Sequence, residues 1–306
     1  MKKVLITGAN GFIGRHCLPI LLERGYEIHA VSSDKPRCCI GNVHWHQANL
    51  LDCGMVMDLL LSVRPTHLLH FAWYTVHGRY WNAVENFRWV ESSYFLLEQF
   101  VRQGGRRVVM AGTCAEYDQR YPFCLEGITP LGPETFYGEC KHHLQRLLGI
   151  ISERTGLSSA WGRIFFLYGP HENRSRFVSS SIYSLIQGMP VRCSNGGLIR
   201  DYLHVIDAAS AFVDVLDSDV QGAINIASGR PVCLKDMLKM IGEKMGRCDL
   251  ICPNVMDSEA SNPRILIADT GRLKEEVYWE PHYNLDEGLD QTIRWWKTNE
   301  LSATCH

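Results

Sequence analysis

Along the first half of the chain, short β-branched apolar runs alternate with longer segments in which apolar residues recur every three to four positions. The first pattern marks buried strands and the second marks helices that bury one face. Runs near 2–7, 26–31, 43–47, 67–71, 107–111 and 158–165 predict strands, and stretches near 12–24, 53–63, 82–103 and 136–155 predict helices. Such alternation gives a doubly wound α/β fold, a parallel sheet with right-handed crossovers and helices on both faces. Beyond residue 165 the elements shorten and Gly, Pro and Asn breaks multiply. A helix near 175–188, a strand near 222–226, a helix near 234–246 and a C-terminal helix near 286–298 are predicted there. No internal repeat or low-complexity linker interrupts the chain.

The turn after the first strand carries Gly8, Gly11 and Gly14, with Phe12 and Ile13 opening the helix that follows. Gly8 permits a tight turn, Gly11 lets the backbone approach a pyrophosphate, and Gly14 lets helix pack on strand. A pyrophosphate then lies at a helix N-terminus, where unpaired N–H groups and the helix dipole favour an anion. Farther along, Tyr137 and Lys141 stand four residues apart on the helix over 136–155, one above the other on the same face. A phenol, with a pKa of about 10, is a poor proton donor and acceptor at neutral pH. An ammonium one turn away stabilises the phenolate and lowers that pKa, as proton exchange with a substrate hydroxyl or carbonyl requires. Thr113 ends the run Arg107–Thr113, at the strand edge where ligands of parallel sheets lie, and can hydrogen-bond the same substrate oxygen.

Composition narrows the classes. At 306 residues and 46% hydrophobic content, the chain can bury a large core. A formal charge of −2 gives no electrostatic reason to expect nucleic acid or an anionic membrane as partner. No apolar stretch approaches the ~20 residues of a membrane-spanning helix. The chain begins directly with a strand and a glycine loop, which predicts a cytoplasmic protein. The twelve cysteines form no CxxC pair and read as reduced thiols. His44 and His46 alternate on one strand without further ligands nearby in sequence, so no metal is expected.

The segments TGANGFIG (7–14), HFAW (70–73), AGTCAEY (111–117), YGECK (137–141), RIFFLYGP (163–170), RDYLHVID (200–207) and GAINIASG (222–229) follow one another in order. In this set the chain resembles the extended short-chain dehydrogenase/reductases, the nucleotide-sugar epimerases, dehydratases and reductases. The resemblance implies a Rossmann domain over 1–165, with segments near 200–226 returning to it. Residues 166–306 would form mainly a smaller sugar-nucleotide lobe. The family's NAD users carry Asp where this chain has Ser32, after the strand over 26–31. Ser32 and Ser33 can donate to a 2′-phosphate and Lys35 or Arg37 can pair with it, although Asp34 opposes this, so NADP(H) is expected over NAD(H). Asn49 and Leu50 fall where the family meets the adenine. Phe71, Ala72 and Trp73 leave the fourth strand beside the cofactor.

Dehydratases of the family carry Asp-Glu directly after the catalytic hydroxyl residue. Here Cys114-Ala115 follows Thr113, and Glu116 is one position late, turned to the other face of extended backbone. Two Asn positions of the family's epimerases are Trp89 and Phe166 in this chain, with Asn82 and Asn86 nearby but off register. The expected reaction is therefore NADPH-dependent reduction of a nucleotide-linked 4-keto-6-deoxyhexose. Tyr137 would supply the proton, Thr113 would bind the keto oxygen, and Lys141 would tune Tyr137 and hold the nicotinamide ribose. An NAD-dependent 4-epimerase is the alternative, and a non-catalytic NADP(H)-binding protein a third reading. Expected sugar-nucleotide contacts are Tyr74, His77, Arg79, Thr113, Cys114 and three arginines. Arg200 would bind the diphosphate, with Arg264 and Arg176 as further candidates. Asp201, Asp207 and Trp295-Trp296 read as structural. The helices near 82–103 and 136–155 form the family's usual dimer face, and an apolar stripe of Phe87, Val90, Tyr94, Leu97 and Val101 predicts a homodimer.

Overall fold

The computed structural model of the protein describes residues 2–35, 41–193, 196–252 and 264–303. Its strands are β1 (Lys3–Thr7), β2 (Glu27–Ser32), β3 (Val43–Gln47), β4 (His67–His70), β5 (Arg107–Thr113), β6 (Phe123–Cys124) and β7 (Ser158–Ile164). They continue with β8 (Phe166–Tyr168), β9 (Val191–Arg192), β10 (Ile199–His204), β11 (Gly222–Ile226), β12 (Pro231–Cys233), β13 (Ile251–Cys252) and β14 (Ile265–Ala268). The helices are α1 (Gly14–Glu23), α2 (Cys53–Val63), α3 (Glu85–Arg102), α4 (Phe136–Thr155) and α5 (Phe177–Ile186). After them come α6 (Val205–Asp217), α7 (Leu234–Met245), α8 (Gly271–Glu275) and α9 (Leu285–Ala303).

Seven strands form one parallel sheet in the order β11-β7-β5-β4-β1-β2-β3, the doubly wound Rossmann arrangement that the alternation predicts. Its strands read as continuous apolar runs because both faces are covered. One face, with Val4, Ile6 and Ile28, packs on α1 and α6. The other, with Leu5, Leu68 and Val108, packs on α2, α3 and α4. Burying each such side chain contributes roughly 1.5–3 kcal/mol. A second sheet runs β12-β10-β14-β6 with β8 paired to β10, and α5, α7 and α9 enclose their own apolar cluster. No helix among the described residues is long and apolar enough to cross a membrane.

Several expectations need correction. Helix α1 starts at Gly14, so Phe12 and Ile13 belong to the turn before it. A separate 3-10 turn, Tyr80–Asn82, precedes α3. The expected elements omit α6, whose buried residues include Val205, Ala208, Ala209, Phe212 and Val215. Its polar positions Ser210, Asp214 and Asp217 do recur at helical spacing, but the helix follows β10 directly with no side-chain cap at its start. The α3 stripe also divides: Leu97 is fully buried and Val90 and Val101 pack against the core, whereas Phe87 and Tyr94 are exposed.

Candidate active site

The site lies beyond the carboxyl ends of β1, β4 and β5. At the end of β1, Gly8 has φ +66°, and a Cβ there would stand 2.9 Å from the Ala72 amide nitrogen. The Thr7 hydroxyl accepts from the Phe71 and Ala72 amides at 3.2 Å each and pairs with His70 Nδ1 at 2.8 Å. His70 Nε2 in turn meets Ser93 Oγ at 3.0 Å. Burial, reinforced by the Lys141 charge, pushes His70 down to about 3, so it is neutral. These bonds lock the chain leaving β4 against the glycine loop. Gly11 is exposed at the loop tip and Gly14 opens α1, so neither of these positions sets a side chain against a ligand at the helix N-terminus. The cradle fits a dinucleotide pyrophosphate.

At the end of β2, Ser32 is buried and its hydroxyl accepts from Asn10 Nδ2 at 2.7 Å and from the Asp34 amide at 3.2 Å. Ser33, Asp34 and Lys35 are exposed, and the Lys35 carbonyl accepts from Asn10 Nδ2 at 3.1 Å. Arg37 lies outside the described residues. Ser32 is thus committed within the protein, and Asn10, absent from the expected site, is the residue that joins the glycine loop to β2. Asn49 is exposed, its side-chain oxygen accepting from the Leu51 amide at 3.1 Å. Leu50 is a core residue, with its carbonyl bonded to Ser92.

Around the reacting groups, Thr135 caps α4 by accepting from the Gly138 amide at 3.1 Å, which fixes the turn that carries Tyr137. Gly138 allows that turn its close approach, since a Cβ would come within 2.6 Å of the Ala115 carbonyl oxygen. The Thr113 hydroxyl consequently reaches Tyr137 and draws its pKa down, but burial dominates and holds the phenol above its ordinary value. Lys141 is buried, donates to the Ala111 carbonyl at 2.8 Å, and is pushed down to about 7 by burial. Its ammonium lies over the Trp73 ring at 3.7 Å. The side chain thus engages the end of β5 and the indole, where the sequence suggested a direct hold on the phenol.

Behind Thr113, residues Cys114–Glu116 form a 3-10 turn, so the premise of extended backbone is wrong. Glu116 is fully buried and accepts from the Thr113 amide at 2.8 Å, Trp161 Nε1 at 2.9 Å and Arg163 Nε at 2.9 Å. Its carboxylate is held by the fold, away from a substrate oxygen bound at Thr113.

The loop after β4 wraps Tyr137 in aromatic rings. Tyr80 meets it at 5.0 Å, Trp81 at 5.8 Å and Trp73 at 6.5 Å, all edge to face. Trp89 stacks obliquely on Trp73 at 6.3 Å. Arg176 lies just before α5 with its guanidinium 5.7 Å from the Tyr80 ring centre, so it stands at this wall and not on an outer helix face. Its charge also lowers the pKa of exposed His77, after the effect of desolvation. Arg200 is buried, covers Phe166 at 5.4 Å and exerts its charge on Cys114. Tyr74 packs against the core, and Arg79 is exposed at the head of the 3-10 turn. Arg264 is exposed, and its carbonyl accepts from Arg200 at 3.4 Å. Asp201 accepts from the Ser228, Gly229 and Ala268 amides and Asp207 from those of His282 and Tyr283, structural bonds in both cases. Among the described residues, no group of three or more His, Cys, Asp or Glu could hold a metal ion.

Known proteins share this fold. The chain is similar to UDP-glucuronic acid decarboxylase 1 of Xenopus tropicalis, with 24% identity over 97% of this chain and 72% of the relative. It is similar to UDP-glucose 4-epimerase of Halalkalibacterium halodurans, with 22% identity over 96% of this chain and 95% of the relative. Its fold matches the crystal structure of UDP-glucose 4-epimerase with UDP-glucose from Thermotoga maritima. The TM-score is 0.87 and the identity 24%, over 97% of this chain and 99% of that one. A family model matches residues 4–227, which span the whole parallel sheet and the site at its edge, and the chain belongs to the NAD dependent epimerase/dehydratase family.

Proposed function

We propose that the chain transfers hydride at C4 of a nucleotide-linked hexose, with 4-epimerisation as its net reaction. The observation that carries the reading is the meeting of Thr113, Tyr137 and Lys141 at the end of β5, with Glu116 drawn into the fold behind them. Two hydroxyls there can share one substrate oxygen. Cys114 and Ala115, not carboxyl residues, directly follow Thr113, so no carboxyl group stands there to expel a sugar hydroxyl.

The glycine loop, the Asn10–Ser32 junction and the backbone at Phe71 and Ala72 would hold the dinucleotide. A bound nicotinamide dinucleotide supplies the hydride acceptor and donor. Tyr137 takes the proton of the C4 hydroxyl as the alcohol is oxidised and returns it on reduction. Thr113 orients the oxygen, and the charge on Lys141 offsets the burial that keeps the phenol protonated. The aromatic rings of Trp73, Tyr80 and Trp81 exclude water from the exchange. Arg176 and Arg200 supply planar cations suited to a diphosphate.

Epimerisation is supported by the similarity to UDP-glucose 4-epimerase of Halalkalibacterium halodurans and by the commitment of Ser32 to Asn10. NADPH-dependent reduction of a 4-keto-6-deoxyhexose is the second reading. It is supported by exposed Ser33 and Lys35, the lack of a carboxylate at position 32, and Trp89 and Phe166 in place of the two Asn residues. In either case a homodimer through α3 and α4 is proposed.

The purified protein should be denatured and its released nicotinamide identified. Native protein should then be incubated with UDP-glucose, and separately with nucleotide-linked 4-keto-6-deoxyhexoses plus NADPH or NADH. Retained NAD with formation of the C4 epimer supports epimerisation. Sustained NADPH consumption supports the reductase instead. Failure of both reactions across uridine, thymidine, cytidine and guanosine diphosphate sugars would sink the proposal.

A further inference from the structure

We infer that Trp73 is a positioning residue for Lys141: the face of its indole, pinned by Asn86, seats the lysine ammonium at the end of β5. The inference rests on the reading of Lys141 as part of the reacting set. Lys141 is 3% exposed, so water solvates its ammonium little. One N–H donates to the Ala111 carbonyl at 2.8 Å. Among the described residues no carboxylate forms an ion pair with it. The carboxylate whose charge it feels most, Glu116, is held by Thr113, Trp161 and Arg163. A buried cation so placed needs another source of negative potential. The Trp73 ring centre lies 3.7 Å from Nζ, while Trp161 is farther off at 5.9 Å. The π-face of an indole is the strongest aromatic partner for a cation.

The indole is fixed in that position. Its Nε1–H donates to Asn86 Oδ1 at 2.8 Å, and the Asn86 amide nitrogen donates to the carbonyls of Tyr80 at 2.7 Å and Ala83 at 2.9 Å. Asn86 is fully buried and Trp73 is buried over it. The same Trp73 ring meets Tyr137 edge to face, so one side chain contacts both the phenol and the ammonium. The other titratable and charged groups that interact with Lys141 are Glu116 from the 3-10 turn, neutral His70 from β4 and Cys140 on α4. Burial lowers the lysine pKa to about 7, and a π-face against the ammonium favours the charged form, the opposite direction.

The test needs no substrate. The protein is labelled with carbon-13 at lysine Cε, the Lys141 signal is assigned by its loss in Lys141→Met, and its titration is followed from mildly acidic to alkaline pH. In Trp73→Leu the midpoint is expected to fall by about one pH unit, and in Trp73→Phe, which keeps a π-face, by only a few tenths. Asn86→Ser, which frees the indole, shifts it in the same direction by less and serves if the Leu variant does not fold. On turnover, Trp73→Leu is expected to lower kcat at neutral pH about tenfold while KM for the sugar nucleotide changes less than about twofold. An unchanged or raised midpoint in Trp73→Leu overturns the inference, as does an effect on KM alone. A wild-type protein without turnover would sink the proposed function, and the Cε titration would still decide the role of Trp73.

Discussion

Tyr137 unites what a sequence can and cannot disclose about a single side chain. Its spacing from Lys141 and its place after Thr113 are visible in the sequence, and the structure brings the three to one strand end. What the spacing could not disclose is the burial that dominates each group's titration, because burial comes from Trp73, Tyr80 and Trp81 on a loop far away in sequence. Tyr137→Phe should lower turnover by about 10²–10⁴-fold and leave cofactor affinity nearly unchanged, as measured by steady-state rates and fluorescence titration. Retained turnover would remove Tyr137 from the chemistry. Glu172 offers a second test at this scale. Buried beside Ser179, its carboxyl is raised to about 7, with burial the largest cause and Ser179 and Arg176 opposing it. The folded state therefore binds this proton more tightly than the unfolded state does. That stability is fully present below about pH 4.5 and is lost as pH rises through about 7, by up to about 3 kcal/mol. Relative to wild type, Glu172→Gln should gain stability steadily across that window in denaturant melts. A constant difference between the two would show that Glu172 does not titrate there.

At the scale of elements, legibility followed one-sidedness together with a cap. Helices α2 and α4 each present one face to the core and end at Asp52 and Thr135 caps, so their apolar spacing locates them at 53–63 and 136–155. Helix α6 carries the same spacing, with Ser210, Asp214 and Asp217 on the less buried side, but it follows β10 without a break and has no side-chain cap to mark its start. The turn after β5 is obscure for another reason. Three residues carry no periodicity, and the 3-10 turn is set by Glu116 reaching back to the Thr113 amide while pairing with Arg163 on β7. This buried pair makes the turn a mechanical link between β5, β7 and α4. Glu116→Ala leaves Arg163 charged and unpaired at 3% exposure and should cost about 3–5 kcal/mol in chemical denaturation. Glu116→Gln, which keeps an acceptor for the Thr113 amide, should cost less. Equal losses would mean that the charge is the whole effect and that the backbone bond contributes nothing.

For the molecule as a whole, the parallel sheet was readable from alternation alone, but association was not, since an apolar stripe does not say which of its residues the chain itself covers. Leu97, Val90 and Val101 are used internally. Exposure is concentrated at Val84 just before α3, at Phe87 and Tyr94 on it, and at Phe136 and Ile150 on adjacent α4, with exposed Arg88, Glu91 and Arg146 around them. Phe87 and Tyr94 are 54% and 42% exposed and lie seven residues apart, hence along one line of α3. Large aromatics so placed suit the centre of a two-fold interface, where each copy presents the same patch. Light scattering at micromolar concentration should give twice the chain mass, and the double variant Phe87→Glu, Tyr94→Glu should give a monomer whose far-ultraviolet circular dichroism is unchanged. Since α4 also carries Tyr137 and Lys141, the monomer tests more than assembly. If pairing steadies α4, turnover should fall with dimer content as the protein is diluted, and the double variant should sit at the low limit at every concentration. A wild-type monomer, or a variant that still dimerises, would place the interface elsewhere or nowhere. A monomeric variant with full turnover would separate the face from the chemistry and leave the caps and the Glu116–Arg163 link as the supports of the site.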